Sequence, residues 1–200
     1  MQQDLIELLD AGSFSCSGLV MGRSADGRSS RLAWFPAQPA AARFVRASDG
    51  VAAADETGTV LSHLMRLFDG ACVAGDGGVT DCARRTLLDG GTFEDGVRAC
   101  AAAECSLAGF ADDDGSLILA RYTAESAEFW RWDAPDAGSA LLLWAQEDTE
   151  PMKVAVSGTL DGWANALLDA LDAEVYPLLC ACDLSLETGE ARWALPARTI

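Results

Sequence analysis

Three hairpin signatures are the features of this sequence that most constrain its fold. In each, two strand-like apolar runs flank a short turn that contains glycine, at 25–30, 112–115 and 188–189. Such turns join antiparallel strands. Segments with helical spacing of apolar residues lie between the hairpins, at 4–11, 80–91, 92–104 and 161–174. Hairpins separated by helices predict an α+β fold, in which helices cover antiparallel sheets.

Other segments complete this prediction. The runs AEFWRWDA (127–134) and SALLLWAQ (139–146) are expected to extend the sheet. The segment GTVLSHLMRLF (58–68) is ambiguous, because an Asp-Gly turn and a second apolar run follow it. Its apolar residues occur at 60, 61, 64, 65, 67 and 68, and this spacing favours a helix.

Length and hydropathy place the chain in a broad class. Two hundred residues, half of them hydrophobic, suit one domain spanning 1–200 with one sizeable core. The apolar runs are far shorter than the roughly 20 residues of a membrane span, and the first ten residues lack the basic region of a secretory signal. We therefore expect a cytoplasmic protein that does not enter membranes.

The cysteines and the single histidine limit the chemistry. Seven cysteines are scattered without C-x-x-C pairs, so we expect small buried thiols and no structural zinc site. In the run VYPLLCAC, alternation puts Cys180 and Cys182 on one face of a strand, where core filling is the expected use. With His63 as the one histidine, neither a multi-histidine metal cage nor a histidine-based triad is expected.

The charge distribution points to an anionic small molecule. A net charge of −17 disfavours binding to nucleic acid, which needs clustered cations. Residues 11–48, however, contain five arginines against the single acid Asp26, a net charge of +4. Arginine suits phosphate or carboxylate. The alternative is that these arginines are only solvent-exposed surface charges of a hairpin. The five are Arg23, Arg28, Arg31, Arg43 and Arg46.

The stretch ACVAGDGGVTD (71–81) combines an apolar run, a glycine-rich turn and a helix start. It is not a P-loop, because no lysine follows the glycines. A helix entry after Gly78 could bind an anion through its amides, but Asp76 would place a carboxylate beside that anion. We assign Asp76 as an acid/base candidate, with simple turn capping as the alternative. For Thr80 and Asp81, capping of the helix is favoured over contact with a substrate.

The order of these pieces resembles the single-domain IMP cyclohydrolase family of archaea and its bacterial relatives. SGLVMGRSADGR (17–28) is similar to that family's opening strand and hairpin, and VAGDGGVTDCARRTLLDGGTFEDGVRA (73–99) to its strand, Asn-Gly motif and following helices. ALLDALDAEVYPLLCACDLSLETGEA (166–191) resembles its closing helix and final hairpin. The resemblance implies a four-layer αββα sandwich like that of N-terminal nucleophile hydrolases, and it implies that VLSHLMRLF (60–68) is a strand.

The same resemblance implies an activity. The family closes the last ring of purine synthesis: a carboxamide nitrogen of a formamidoimidazole ribonucleotide attacks the formyl carbon, and water leaves. The substrate carries both reacting groups, so the protein folds it, holds its phosphate and places an acid and a base, without metal or cofactor. The partner is then a purine ribonucleotide, and self-association is open. Carried onto this chain, the catalytic residue is Asp76, and the substrate-binding residues are Ser17, Gly18, Arg23, Arg31, Arg43, Arg46, Gly75, Thr80 and Asp81.

Within that set the expected roles differ. Arg43 and Arg46 are expected at the phosphate, and Ser17 and Gly18 are expected to line the nucleotide pocket through main-chain contacts. Arg23 and Arg31 are of second rank.

The chain also departs from the family pattern. A Pro-Gly-Arg-Gly-like turn is replaced by Ser15-Cys16-Ser17-Gly18, the polar loop after the second strand by PAQPAAARF, and the asparagine of the Asn-Gly motif by Ala74. Each loss removes a polar contact worth about 1.5 to 3 kcal/mol. Two alternatives therefore stay open: a non-catalytic nucleotide-binding or regulatory protein, and an amidohydrolase with a processed N-terminal Ser13 or Cys16.

Overall fold

The structure, a computed structural model, describes residues 3–11, 15–37, 43–47, 50–54, 60–66, 71–76, 78–100, 106–123 and 125–198. Within these ranges the chain forms a mixed α/β fold with two seven-stranded, mostly antiparallel sheets and four helices. We number strands and helices in chain order and refer to the two sheets as sheet 1 and sheet 2. The predicted α+β class is confirmed at this level.

Sheet 1 is built from both ends of the chain. Its strand order is β1-β12-β11-β2-β3-β13-β14, and only the β1–β12 pair is parallel. Its strands are β1 (Gln3–Asp4), β2 (Gly18–Arg23), β3 (Ser29–Phe35), β11 (Ser139–Trp144), β12 (Met152–Ala155), β13 (Cys180–Ser185) and β14 (Ala191–Ala194).

Sheet 2 is an antiparallel meander from the middle of the chain, with strand order β10-β9-β8-β7-β6-β5-β4. Because β10 lies in sheet 2 and β11 in sheet 1, the expectation that both segments extend one sheet is wrong. The strands are β4 (Arg43–Ala47), β5 (Gly50–Ala54), β6 (Val60–Arg66), β7 (Cys72–Asp76), β8 (Ser106–Ala111), β9 (Leu117–Tyr122) and β10 (Ala127–Trp132).

The three predicted hairpins are confirmed as β2–β3, β8–β9 and β13–β14. Each turns at a glycine with positive φ: Gly27 at 73°, Gly115 at 84° and Gly189 at 67°. An L side chain rarely adopts this backbone conformation, so the glycine fixes where each hairpin reverses. The turn chemistry in the sequence therefore located these connections correctly.

The predicted helix over 58–68 is wrong, because residues 60–66 form strand β6. Ser62 pairs with Ala53 of β5 on one side and with Asp76 of β7 on the other. Apolar doublets satisfy helical spacing, but they also suit a strand that is flanked on both sides. Backbone pairing with β5 and β7 decides between the two.

The four predicted helices are present as α1 (Leu5–Ala11), α2 (Val79–Leu88), α3 (Phe93–Ala99) and α4 (Leu160–Ala170). Thr92 caps α3 through a reciprocal capping box with Asp95. The capping role expected of Thr80 or Asp81 is wrong: α2 begins after Gly78, which makes no side-chain cap hydrogen bond. None of these helices has the length and apolar character that a membrane crossing requires.

Three apolar clusters show how the elements pack. One joins sheet 1 to sheet 2, for example Leu19 and Trp34 with Ala74 and Leu107. A second packs α1 and α4 on the other face of sheet 1, and a third packs α2 and α3 on the other face of sheet 2. Cys180 and Cys182 are fully buried in the first cluster, so their predicted place on one core-facing side of a strand is confirmed.

Candidate functional site

Several predicted site residues lie at the ends of strands in the two sheets, and we call this end of the sheets the front edge. In sheet 1, Gly18 at the start of β2 pairs with Trp144 at the end of β11. In sheet 2, Gly75 near the end of β7 pairs with Ala108 near the start of β8. Arg121, near the end of β9, links the two edges, because its side chain donates to main-chain carbonyls that follow β11.

Ser17 and Gly18 lie at the front edge, but protein groups already fill the space beside them. The Ser17 hydroxyl accepts a hydrogen bond from the amide of Ala37 at 3.1 Å, and its carbonyl accepts one from Ala145 at 2.9 Å. A Cβ at Gly18 would be 2.0 Å from the Phe35 ring. Gly18 therefore lets an aromatic ring of the core approach β2, and it leaves no cleft for a ligand.

Gly75 and Thr80 lie on the helix-covered face of sheet 2. A Cβ at Gly75 would be 2.9 Å from Thr80 Oγ1 and 2.8 Å from the carbonyl oxygen of Leu107. The absent side chain allows the first turn of α2 to pack closely on β7 and β8. Thr80 is fully buried there, and its hydroxyl has no hydrogen-bond partner among the described residues.

The acid/base candidate Asp76 ends strand β7, where its backbone pairs with Ser62. The side chain of Asp76 lies outside what the structure describes, as does the neighbouring Gly77. Asp81 is exposed in the first turn of α2. A carboxylate at that position interacts favourably with the positive end of the helix dipole.

Arg31 does not lie in the predicted ligand pocket. In β3, alternation places Leu32 and Trp34 between the sheets and Arg31 on the opposite face, which α4 covers. Nε and Nη2 of Arg31 each donate to the Asp183 carboxylate at 2.7 Å, and Nη1 donates to the carbonyl of Gly158 at 2.9 Å. The donors of Arg31 hold β3, β13 and the start of α4 together, and its second-rank substrate-binding role stays a prediction.

The guanidinium of Arg31 also lies over the Trp163 ring, 5.5 Å from its centroid. Only 4% of Arg31 is exposed. Its charge is therefore satisfied by the fold itself.

Arg23 lies at the opposite end of β2 from the front edge. Arg23 is five residue steps from Gly18, which is about 17 Å along a strand. Its Nη2 donates to the carbonyl of Gly115 at 3.2 Å, in the turn between β8 and β9. Arg23 and Gly18 therefore do not contact the same group of a ligand, and the second-rank substrate-binding role of Arg23 stays a prediction.

Arg43 and Arg46 are both exposed on β4, the terminal strand of sheet 2. Their spacing of three places them on opposite faces. Phe44 packs against the cluster between the sheets, so Arg46 shares its inward face and Arg43 takes the outward one. The charge of Arg46 lowers the pKa of the Cys180 thiol, although burial raises that pKa overall.

The five arginines of residues 11–48 thus form no cluster in space, although they are close in sequence. Arg28 lies in the exposed turn between β2 and β3. Arg43 and Arg46 lie on β4, which is three strand spacings, or about 14 Å, from β7, the strand that Asp76 ends. Of the five, Arg46 alone combines an exposed position with the face between the sheets.

Arg121 is a buried cation that sequence reasoning missed. It is 2% exposed, and its Nε and Nη2 donate to Glu128 at 2.9 and 2.6 Å. Its Nη1 donates to the carbonyls of Gln146 at 2.5 Å and Thr149 at 2.8 Å. The available signal was a lone arginine inside the apolar strand LILARY, whose six residues are all buried. Arg121 therefore fixes the loop after β11 against sheet 2.

A separate groove of about 550 Å³ lies between β10 and the β11–β12 side of sheet 1. None of the predicted site residues lines it. The indole of Trp130 donates to Glu150 at 3.3 Å, and the Lys153 ammonium lies 5.3 Å from the Trp132 ring centroid. Its lining residues are Phe129, Trp130, Arg131, Trp132, Leu141, Glu150, Pro151 and Lys153.

The remaining nucleophile candidates are placed as follows. Cys16 is half-buried before β2, and its carbonyl accepts a hydrogen bond from the Tyr176 hydroxyl at 2.6 Å. Burial raises the pKa of that hydroxyl well above its usual value. Ser13 and the side chain of His63 lie outside the described residues.

In the described part of the chain, no group of three or more His, Cys, Asp or Glu residues is arranged to hold a metal ion.

Comparison with known proteins does not assign this chain to a family. No protein-family model matches the chain, and no curated protein matches it. Among solved structures, Anbu from Hyphomicrobium sp. strain MC1 matches with a TM-score of 0.46 and 12% sequence identity. That match covers 92% of this chain and 88% of the other. A likeness of this extent assigns neither a family nor a function.

Proposed function

We propose that this chain is a cytoplasmic IMP-cyclohydrolase-like enzyme with a four-layer αββα architecture. The proposal rests on the resemblance in sequence, on the two sheets sharing one apolar cluster, and on helices packing against the outer face of each sheet. The reaction is the dehydrative ring closure of a 5-formamidoimidazole-4-carboxamide ribonucleotide.

The observation that carries the proposal is the position of Arg46. It is exposed on β4, the terminal strand of sheet 2, and it shares the inward face of that strand with Phe44, which packs against the cluster between the sheets. The exposed inward face of β4 opens onto the space between the sheets, and we call this place the mouth between the sheets. In a chain with a net charge of −17, an exposed guanidinium there is a local site for a phosphate group. We assign the 5′-phosphate to Arg46 and take Arg43, which faces outward, out of that role.

The base and ribose would then extend from Arg46 towards the front edge. There Asp76 ends β7, and Ser17 immediately precedes β2. The reacting carboxamide and formyl groups belong to one molecule, so folding the substrate supplies most of the catalysis. Asp76 is assigned the proton transfer from the attacking nitrogen and to the departing water.

A non-catalytic nucleotide-binding protein is the second candidate, and one observation favours it. Ala74 occupies the position of the family's asparagine and is fully buried in the cluster between the sheets. A methyl group there supplies no hydrogen bond to a substrate at the front edge. Under this candidate the chain binds the ribonucleotide at Arg46 and does not close the ring.

A thermal-shift panel of purine ribonucleoside monophosphates and their formamidoimidazole precursor tests the proposal. At 100 times its Kd, a ligand raises stability by about 2.7 kcal/mol, which is a Tm increase of about 5 to 10 °C for a chain of this size. Arg46→Ala should remove that increase, and the matched control Arg43→Ala should retain it. If no member of the panel shifts the wild-type Tm, the nucleotide proposal is wrong.

Ring closure is then followed by its absorbance change. Turnover by the wild-type chain supports the enzyme, whereas binding without turnover supports the second candidate. Asp76→Asn should bind the precursor and lose turnover, because the amide does not take up the proton.

A further inference from the structure

Helices α2 and α3 form a closely packed antiparallel pair on the outer face of sheet 2. Gly91 lies against Thr86, and further along α3 Gly96 lies against both Thr86 and Ala83. A Cβ at Gly96 would be only 2.6 Å from the Cα of Ala83. As the chain proceeds from Gly91 to Gly96, the contacted residue changes from Thr86 to the earlier Ala83, so the two helices run antiparallel.

This arrangement brings two cysteines together. Cys100 caps the end of α3, one turn beyond Gly96, and Cys82 immediately precedes Ala83 in α2. Burial and then the neighbouring Cys100 thiol raise the pKa of Cys82, and both side chains are partly exposed. The pair therefore combines sulfur proximity with access from solvent, which thiol oxidation requires.

The chain also contains a buried counterpart of this pair. Cys72 of β7 and Cys182 of β13 belong to the same apolar cluster, and the Cys72 thiol raises the pKa of Cys182, but both are fully buried between the sheets. A dissolved oxidant reaches the surface pair and does not reach the core pair. The two pairs thus differ in their access to solvent.

We propose that Cys82 and Cys100 are a redox modification site that a hydroperoxide converts to an intramolecular disulfide. One thiolate attacks a peroxide oxygen and becomes a sulfenic acid, and hydroxide leaves and takes up a proton as water. The second thiol then attacks the sulfenic sulfur and releases a second water. Two thiols and one hydrogen peroxide give one disulfide and two waters: the sulfurs are oxidised and the peroxide oxygens are reduced.

The surroundings of Cys82 set the pH dependence of the first step. Burial is the largest cause that raises its thiol pKa, followed by the Cys100 thiol, while Asp81 adds a smaller increase and Arg85 a decrease. Because the thiolate is the nucleophile, a raised pKa makes oxidation slow near neutral pH. The rate should increase about tenfold per pH unit until the raised pKa is reached.

Peptide mass mapping of the full chain tests this site without any nucleotide. The chain is treated with hydrogen peroxide, remaining thiols are alkylated, and unreduced peptides are analysed. The expected product is a Cys82–Cys100 linked peptide that has lost two hydrogen atoms and is restored by dithiothreitol. Cys82→Ser and Cys100→Ser should each abolish it, and the matched variant Cys72→Ser should retain it.

Recovery of both Cys82 and Cys100 as alkylated thiols would overturn the proposal, as would a linked Cys72–Cys182 peptide formed in preference to it. A rate of linkage that stays constant as the pH rises contradicts attack by the thiolate. The linked peptide is first sought in the wild-type chain, so this primary result does not depend on how well the variants fold.

Discussion

The helix-covered outer faces of the two sheets differ from the space between the sheets in how their polar groups are used. On the outer face of sheet 1, Arg31 is buried and is bound by Asp183, Gly158 and Trp163. At the mouth between the sheets, Arg46 comes from the same basic stretch of sequence but is exposed. Strand alternation and strand order, rather than the local charge, separate the two arginines.

This difference distinguishes scaffold from candidate site. A buried polar group that is fully hydrogen-bonded stabilises the fold and has no donor left for a ligand. An exposed cation contributes little to stability and remains available. Substitutions on the outer faces should therefore change the free energy of unfolding, and substitutions at the mouth should change ligand binding.

The largest expected effect belongs to Arg31→Met. It leaves the Asp183 carboxylate without its main partner, and breaking a buried pair in this way costs about 3 to 5 kcal/mol. The measurement is the free energy of unfolding in urea. The matched control is Arg131→Met, because Arg131 is 54% exposed and pairs with Glu94 at the surface, where such pairs contribute less than about 1 kcal/mol.

If Arg31→Met and Arg131→Met lower the free energy of unfolding equally, the contrast between the buried outer face and the exposed surface is wrong. Arg31 would then contribute to stability no more than a surface residue. A purine ribonucleotide that stabilises the wild type should still raise the Tm of Arg31→Met, which distinguishes a scaffold residue from a binding residue.

Gly75→Ala has the next largest expected effect. The added Cβ would lie within 3 Å of the Leu107 carbonyl oxygen and of Thr80 Oγ1, so α2 or β8 must shift. Overpacking of this kind costs about 1 to 3 kcal/mol. Gly78→Ala is the control, because nothing lies within 4 Å of a Cβ at Gly78. We expect the control to stay within about 0.5 kcal/mol of the wild type in the same urea experiment.

The smallest expected effect is a gain in stability for Thr80→Val. Valine has nearly the same shape, and it removes a buried hydroxyl that has no partner among the described residues, which should stabilise the fold by about 1 kcal/mol. Thr86→Val is the control: Thr86 Oγ1 donates to the carbonyl of Cys82 at 3.0 Å, so its loss should destabilise slightly. A loss of stability in Thr80→Val would show that the hydroxyl has a partner.

Turn chemistry was the most informative part of the sequence. Gly27, Gly115 and Gly189 occupy positions with positive φ that few other residues adopt, so the three hairpins follow from local preference. The helix starting at Phe93 follows in the same way from Thr92 and its capping box. Burial of Cys180 and Cys182 followed from alternation within an apolar run.

The candidate site was less predictable from sequence, for a different reason. Helical spacing over 60–66 does not reveal that β5 and β7 flank that segment as pairing partners. Nothing local distinguishes Arg31, which a carboxylate 152 positions away binds, from Arg46. Similarly, Arg121 depends on carbonyls of the loop after β11, which lie 25 and 28 positions away.

By itself, the sequence determined the hairpins, the helices and the alternation of core residues, because these depend on the backbone preferences of neighbouring residues. The tertiary structure decided which strands share a sheet, which arginines are bound by the fold, and which glycines admit a ring or a helix rather than a ligand. It also brought Cys82 of α2 and Cys100 at the end of α3 into one closely packed helix pair. Those outcomes depend on contacts between residues distant in sequence, which local preference does not encode.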